Sequence, residues 1–153
     1  MTNDKKGFCE ELEFLSNFSA SPVECNAHIF PSIEIAFQSA KACNNSDFLL
    51  FKKFKTHLDS GKAKRLGRQI ALRKDWEDVK LDIMFDLLCK KFQIPSLRQQ
   101  LLATGDIELV EFNQWHCNDW GHCICNKCKS KEKHNILGKM LTEIRGLINK
   151  GEL

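Results

Sequence analysis

The 153-residue chain has no apolar run near the length of a membrane span, and residues 1–14 hold no apolar signal core behind their lysines. Those two absences predict a cytoplasmic protein with no membrane partner. Internal repeats, low-complexity tracts and interdomain linkers are also missing, which argues for a single domain over residues 1–153. Surplus charge is scarce: the formal net charge is +3, too little by itself to name a partner. The hydrophobic share of 42% and charged share of 28% are ordinary soluble values and exclude a disordered chain. A chain this long buries roughly two-thirds of its unfolded surface, so it needs no staples.

Eight cysteines are present all the same. Cys9, Cys25, Cys43 and Cys89 are scattered through apolar patterns, where reduced, buried thiols are expected. The other four crowd into residues 117–128. There Cys123, Cys125 and Cys128 form a CxCxxC, and the density of ligands favours a tetrahedral Zn²⁺ clamp over disulfides, with spare thiols as the alternative reading. His116 is taken as the fourth ligand, with Cys117, His122 and His134 also nearby.

The pattern along the chain predicts a mostly helical α+β fold with a few short strands. Residues 13–18 and 23–30 alternate short apolar runs with turn residues, which suits strands, the second pair joined by a turn at Asn26-Ala27. Pro31 closes that strand and opens a helix to Cys43. Asp47 is placed as the cap of a second helix to about Thr56, and a basic helical stretch covers residues 62–69. Asp75 is placed as the N-cap of the longest helix, residues 76–92. Ser96 and Gln99 have capping-box spacing ahead of a helix over 97–103. Residues 107–112 read as a strand, a long polar loop follows over about 114–134, and Asn135 caps a final helix, 136–149. A loop of that length is usually functional or organised by a metal.

The helix after Pro31 is apolar on almost every side except for one line: Glu34, Gln38 and Lys41. At about 100° per residue Lys41 returns to within roughly 20° of Glu34 after two turns, with Gln38 between them. Buried carboxylates and ammonium groups are costly unless paired or facing a polar cavity, so the line reads as a site. A structural ion pair, or the wet side of an amphipathic helix, would give the same spacing.

An ordered series of pieces then resembles the NADAR family: FLSNF at 14–18, PSIEIAFQ at 31–38 with Lys41, AKRLGR at 63–68, LRKDWE at 72–77 with Lys80, LLATGD at 101–106, Asn113, Trp120-Gly121, and NILGK at 135–139 with Ile144-Arg145. The resemblance covers nearly the whole chain. It implies cleavage of an N-glycosidic bond to ribose, through removal of ADP-ribose from guanine, including guanine in DNA or RNA, or through hydrolysis of a ribosylated pyrimidine intermediate of riboflavin synthesis. A non-catalytic ADP-ribose or nucleotide-binding module is a third reading.

The family glutamate matches Glu34, its lysine Lys41 and its tryptophan Trp76. Breaking the C1–N bond builds positive charge on the sugar and negative charge on the base, so a carboxylate and a proton source are both useful. Glu34 takes one of these roles, and Lys41 is proposed to attack C1 and hold the opened sugar as a Schiff base, with no cofactor required. Trp76 and Trp120 are candidates to stack on base or sugar, with core packing as the plainer role for each. Phe18 and Phe37 suit a core, and Phe18 also falls in a matching piece with the binding positions. Six basic residues lie in 62–74, of which Arg65 and Arg68 match the family and are assigned to phosphate. Asn17, Gln38, Gly121 and Asn135 complete the binding set. The chain departs from the family where an aspartate usually stands three residues before Trp-Gly: Cys117 is there, and Asp119 is the candidate substitute. Ile35 replaces a common histidine, Ala27 a turn glycine, and Lys133 a glycine before Asn135.

Overall fold

The computed structural model describes residues 8–153. The reading of the chain start as lacking an export signal falls largely on residues 1–7, outside those described. The fold is α+β and mostly helical, with short strands only. Packing separates two compact units, Asn17–Arg98 and the residues up to Ser16 with Gln99–Leu153. Among the described residues no helix is long and apolar enough to cross a membrane.

In the first of these units, β1 (Val23–Cys25) and β2 (His28–Phe30) form an antiparallel hairpin with Val23 opposite Phe30. Its turn is the expected Asn26-Ala27, with φ of 49° and 65°. Those values match the tight hairpin turn whose twist suits the strands, and Ala27 adopts them despite its Cβ. Helix α1 (Ile33–Ala40) follows, and all eight of its residues are buried. Its first turn is tied down by Ser32, whose hydroxyl accepts from the Ile35 N–H at 3.3 Å and lies 2.7 Å from the Ser60 hydroxyl. Ser60 in turn donates to the His57 carbonyl at 2.6 Å, which leaves Ser32 to donate to Ser60.

Helices α2 (Asn45–Leu50), α3 (Ser60–Gly67) and α4 (Trp76–Lys91) complete this unit, and α1 packs against all three. Two caps differ from expectation. Asn44, not Asp47, starts α2: its Oδ1 accepts from the Asp47 N–H at 2.8 Å, because Asn44 has the extended backbone a cap needs. Asp75 does occupy the position before α4, but its carboxylate is held by Arg73 through contacts of 2.6 and 2.9 Å and makes no side-chain cap.

In the other unit, residues 10–15 form a 3-10 helix rather than the start of the strand expected over 13–18. Leu12 and Leu15 recur at three residues, the period of that helix, with Glu10, Glu11 and Glu13 exposed. Helix α5 (Pro95–Ala103), which runs across the boundary of the units, begins at Pro95, two residues before the expected start. The fixed φ of proline suits a first helical position, so Ser96 lies inside the helix and is no cap. The strand expected at 107–112 is reduced to β3 (Phe112–Asn113), paired in parallel with β4 (His122–Cys123). Side chains of Asn135 and of α6 (Ile136–Asn149) account for the difference, since they bond backbone groups of Ile107, Leu109 and Glu111, while the Glu111 carbonyl accepts from the His122 N–H of β4 at 2.8 Å. Arg145 donates to the Ile107 carbonyl at 3.0 Å, and Asn135 bonds Leu109 and Glu111.

Candidate active site

The line on α1 is assembled as its spacing predicts. Gln38 Nε2 donates to Glu34 Oε1 at 2.8 Å, and the two residues are 3% and 8% exposed, which excludes a wet helix face. Among the described residues no salt bridge joins Glu34 to Lys41, so a direct ion pair is excluded as well. Burial pushes the Glu34 carboxyl above its usual range, against the Gln38 hydrogen bond and the charges of Lys64, Lys41 and Arg68. Lys41 closes α1 and is half-buried. Its amine is pulled below the usual lysine range by desolvation, opposed by Glu34 and assisted by Arg68, Lys64 and Lys80. The Lys41 backbone is pinned on both sides: its N–H donates to the Gln38 carbonyl, and its carbonyl accepts from the Arg73 N–H at 2.9 Å.

Helix α3 supplies the cations. Lys64 and Arg68 are one turn apart and both act on Glu34 and Lys41. Arg65 is turned away from them, lining a groove of about 470 Å³ with Lys53, Phe54, Lys62, Leu66 and Gln69. Close approach of α1 and α3 depends on Gly67, where an added Cβ would stand 1.9 Å from Gln38 Oε1.

Trp76 is buried at the start of α4, with its ring 4.9 Å from that of Phe37 and 5.9 Å from Lys41 Nζ. It is therefore a core residue with its ring face toward the amine. The Asn17 carbonyl accepts from the Glu34 N–H at 2.9 Å, fixing the first turn of α1. The Asn17 amide lies 3.7 Å from Met84 Sδ, and its Oδ1 is buried with no partner among the described residues. Phe37 is core, as expected, but Phe18 is 41% exposed and is not.

The remaining candidates lie together in the other unit. The carbonyls of Asn118, Asp119, Trp120 and Gly121 accept from the N–H groups of His134, Ile136, Leu137 and Asn135 at 2.7, 2.9, 3.0 and 3.2 Å. A helix start leaves up to four N–H groups without partners, and here a neighbouring backbone takes those of the first turn. The Asn135 side chain, expected to cap α6, is thereby released. Asn135 sits in the left-handed region at φ 46°, donates to the Leu109 carbonyl at 2.9 Å and accepts from the Glu111 N–H at 3.1 Å. Asp119 is exposed and Trp120 partly so. Gly121 is required by close approach, since a Cβ there would meet the Glu111 carbonyl at 2.4 Å. Cys117 is held by the buried Asn113, which donates to its carbonyl at 2.7 Å and accepts from its N–H at 3.2 Å.

In the same unit His116, Cys123, Cys125 and Cys128 converge, with one ligand atom from each lying within 4.8 Å of the others. This is the four-residue set the spacing named, and it is capable of holding a metal ion. Cys117, His122 and His134 are not in it.

The model of the NADAR domain matches residues 3–149. The chain belongs to the NADAR family. Among its NADAR relatives, the N-glycosidase YbiA of Escherichia coli (strain K12) is 35% identical over 135 residues, covering 85% of this chain and 78% of that protein. An N-glycosidase of Nostoc punctiforme is 31% identical over 137 residues, with 88% and 86% covered. A riboflavin biosynthesis protein of Vibrio vulnificus (strain YJ016) is 32% identical over 143 residues, 89% of this chain and 35% of that one. The NMR structure of E. coli YbiA superposes with a TM-score of 0.77 at 29% identity, covering 97% of this chain and 84% of that one.

Two residues of this NADAR domain were given no role of their own by sequence. Lys64 was signalled by its four-residue spacing from Arg68, which puts both on one helix face. Asn113 carried no comparable signal, because a buried amide that clamps a loop is recognisable only once its partners are known.

Proposed function

We propose that this N-glycosidase of the NADAR family cleaves the ribosyl C1–N bond of ADP-ribosylated guanine, as a nucleotide or in nucleic acid, with Glu34 and Lys41 as the catalytic pair. The observation that carries the reading is a carboxyl and an amine on one face of a buried helix, both biased by burial toward their neutral forms. A neutral Glu34 has a proton to give the departing base, and a neutral Lys41 has a lone pair to attack C1. The amine bonds to C1 as the C1–N bond breaks, the base leaves with the proton, and the sugar opens to a Schiff base. Water then releases the sugar and restores the amine.

Lys64 and Arg68 supply charge that suits a phosphate-bearing sugar. Trp76, Gln38 and Asn17 are proposed to shape the binding surface in the unit that holds Glu34 and Lys41; in the other unit Trp120, Gly121 and Asn135 are the proposed binding positions, and Asp119 the proposed substitute for the family aspartate. No cofactor takes part in the chemical step, and a metal on the loop ligands is structural. The eight cysteines are all unpaired, which suits a reducing cytoplasm.

A second reading, hydrolysis of a ribosylated pyrimidine of riboflavin synthesis, is favoured by the name of the Vibrio relative. A panel of ribosylated bases separates the two: guanine with ADP-ribose supports the first, and an aminopyrimidine with a ribose phosphate the second. Tight ADP-ribose binding without turnover would instead indicate a binding module. Borohydride should trap substrate on the native protein and not on Lys41→Ala. Full activity in Lys41→Ala would overturn the covalent step.

A further inference from the structure

We infer that His116, Cys123, Cys125 and Cys128 hold a closed structural Zn²⁺ ion that fixes the segment 118–121 from both of its ends. The argument begins with geometry. Tetrahedral zinc, with bonds of about 2.3 Å to sulfur and about 2.0 Å to nitrogen, sets S···S near 3.8 Å and S···N near 3.5 Å. His116 Nδ1 lies 3.4 Å from Cys128 Sγ and 3.3 Å from Cys125 Sγ, and the whole set falls within 4.8 Å. Little movement is needed to close around an ion. Three thiolates, one imidazole and no water make a filled coordination shell, which is the structural class of site.

The charge of the surroundings is complementary. Three thiolates with Zn²⁺ leave about one negative charge, and Lys127, Lys129, Lys131 and Lys133 all lie within five residues of Cys128. Lys133 already turns its amine onto the Cys128 carbonyl. Backbone geometry points the same way, since His116 sits at φ 68°, an uncommon conformation for a residue with a side chain.

What the ion does follows from where its ligands lie in the chain. His116 precedes the segment 118–121 and Cys123 follows it. That segment provides the carbonyls that complete the first turn of α6, and it carries Asp119 and Trp120. Asn113 on Cys117, the Asn118 carboxamide on the Cys123 N–H and the two-residue ladder of β3 and β4 join its ends. A ladder that short gives little stability alone. The ion closes the loop covalently in all but name. The role given to Asp119 and Trp120 rests on the proposed function; the metal site does not.

The test is elemental analysis of the full chain purified without chelator, followed by zinc retention against a competing chelator. About one zinc per chain is expected. Cys125→Ser and His116→Ala should each retain zinc on the order of a hundredfold less tightly, and Cys117→Ser should retain it as the native chain does. Cobalt in place of zinc should give the visible absorption of a tetrahedral thiolate site, and chelation should open residues 114–134 to protease. Zinc-free protein that gains no cobalt spectrum, or zinc retention at the native level in both His116→Ala and Cys125→Ser, would overturn the inference. None of these readouts uses a glycoside substrate, so they stand apart from any failure of the proposed activity.

Discussion

Replacing Gly67 by alanine tests how α1 and α3 hold the acid in place. The new methyl would stand 1.9 Å from Gln38 Oε1 and 2.9 Å from its Cδ, so the carboxamide must leave its position. The amide is the hydrogen-bond donor to Glu34, and losing a buried hydrogen bond costs about 1–3 kcal/mol. Alanine returns up to about 1 kcal/mol through helix propensity, less at this last residue of α3. Gly67→Ala should therefore destabilise the fold by about 1–2 kcal/mol and lower turnover. In a Gln38→Ala background the obstacle is gone and only the propensity gain remains, so the same change should become neutral or stabilising. Urea unfolding of the four proteins gives the coupling directly, expected at about 1–3 kcal/mol. If Gly67→Ala costs the same with and without Gln38, the packing account of this contact is wrong.

Other predictions address charge and support. Lys41→Arg should lose activity as fully as Lys41→Ala, because a guanidinium stays protonated. In the native protein kcat/KM should be bell-shaped in pH, with limbs set by Glu34 and Lys41 and drawn inward from the ordinary carboxyl and lysine ranges; a rate that keeps rising to the ordinary lysine pKa would contradict the assignment. Arg68→Ala should raise KM for phosphate-bearing substrates about tenfold or more, and Arg65→Ala should do less; the reverse order would place the phosphate on the other face of α3. The fully buried Lys91 is held at about 7 by desolvation, while the unfolded lysine stays protonated to about 10.5. Stability should therefore fall as pH is lowered from about 10.5 to about 7 and level off below 7, and Lys91→Met should flatten that slope in urea titrations at several pH values. Asn113→Ala leaves the Cys117 N–H and carbonyl without their partner and should cost about 2–4 kcal/mol by thermal or urea unfolding.

The elements visible in the sequence were those whose signals are local. The Asn26-Ala27 turn, the buried helix after Pro31, the long helix ahead of Phe92 and the bounds of α6 each rest on periodicity or turn chemistry within a short window. Side-chain choices among competing partners were not visible: Asp75 turned to Arg73, and Asn135 turned from its own helix to Leu109 and Glu111. Residues 107–111 look like a strand by composition, yet several of their backbone partners are the side chains of Asn135 and Arg145, far along the chain. On α1 the spacing of Glu34, Gln38 and Lys41 identified the shared face. The sorting of Arg68 from Arg65 needed the second helix.

Every residue of helix α1 is buried, and that bears on how such an enzyme is able to change. Nearly any new side chain along it must displace a neighbour, so drift there is penalised before chemistry is reached. The outer residues of α3 carry no such constraint. Retuning toward a different base or a longer phosphate chain would thus fall to α3 and leave the reacting pair untouched.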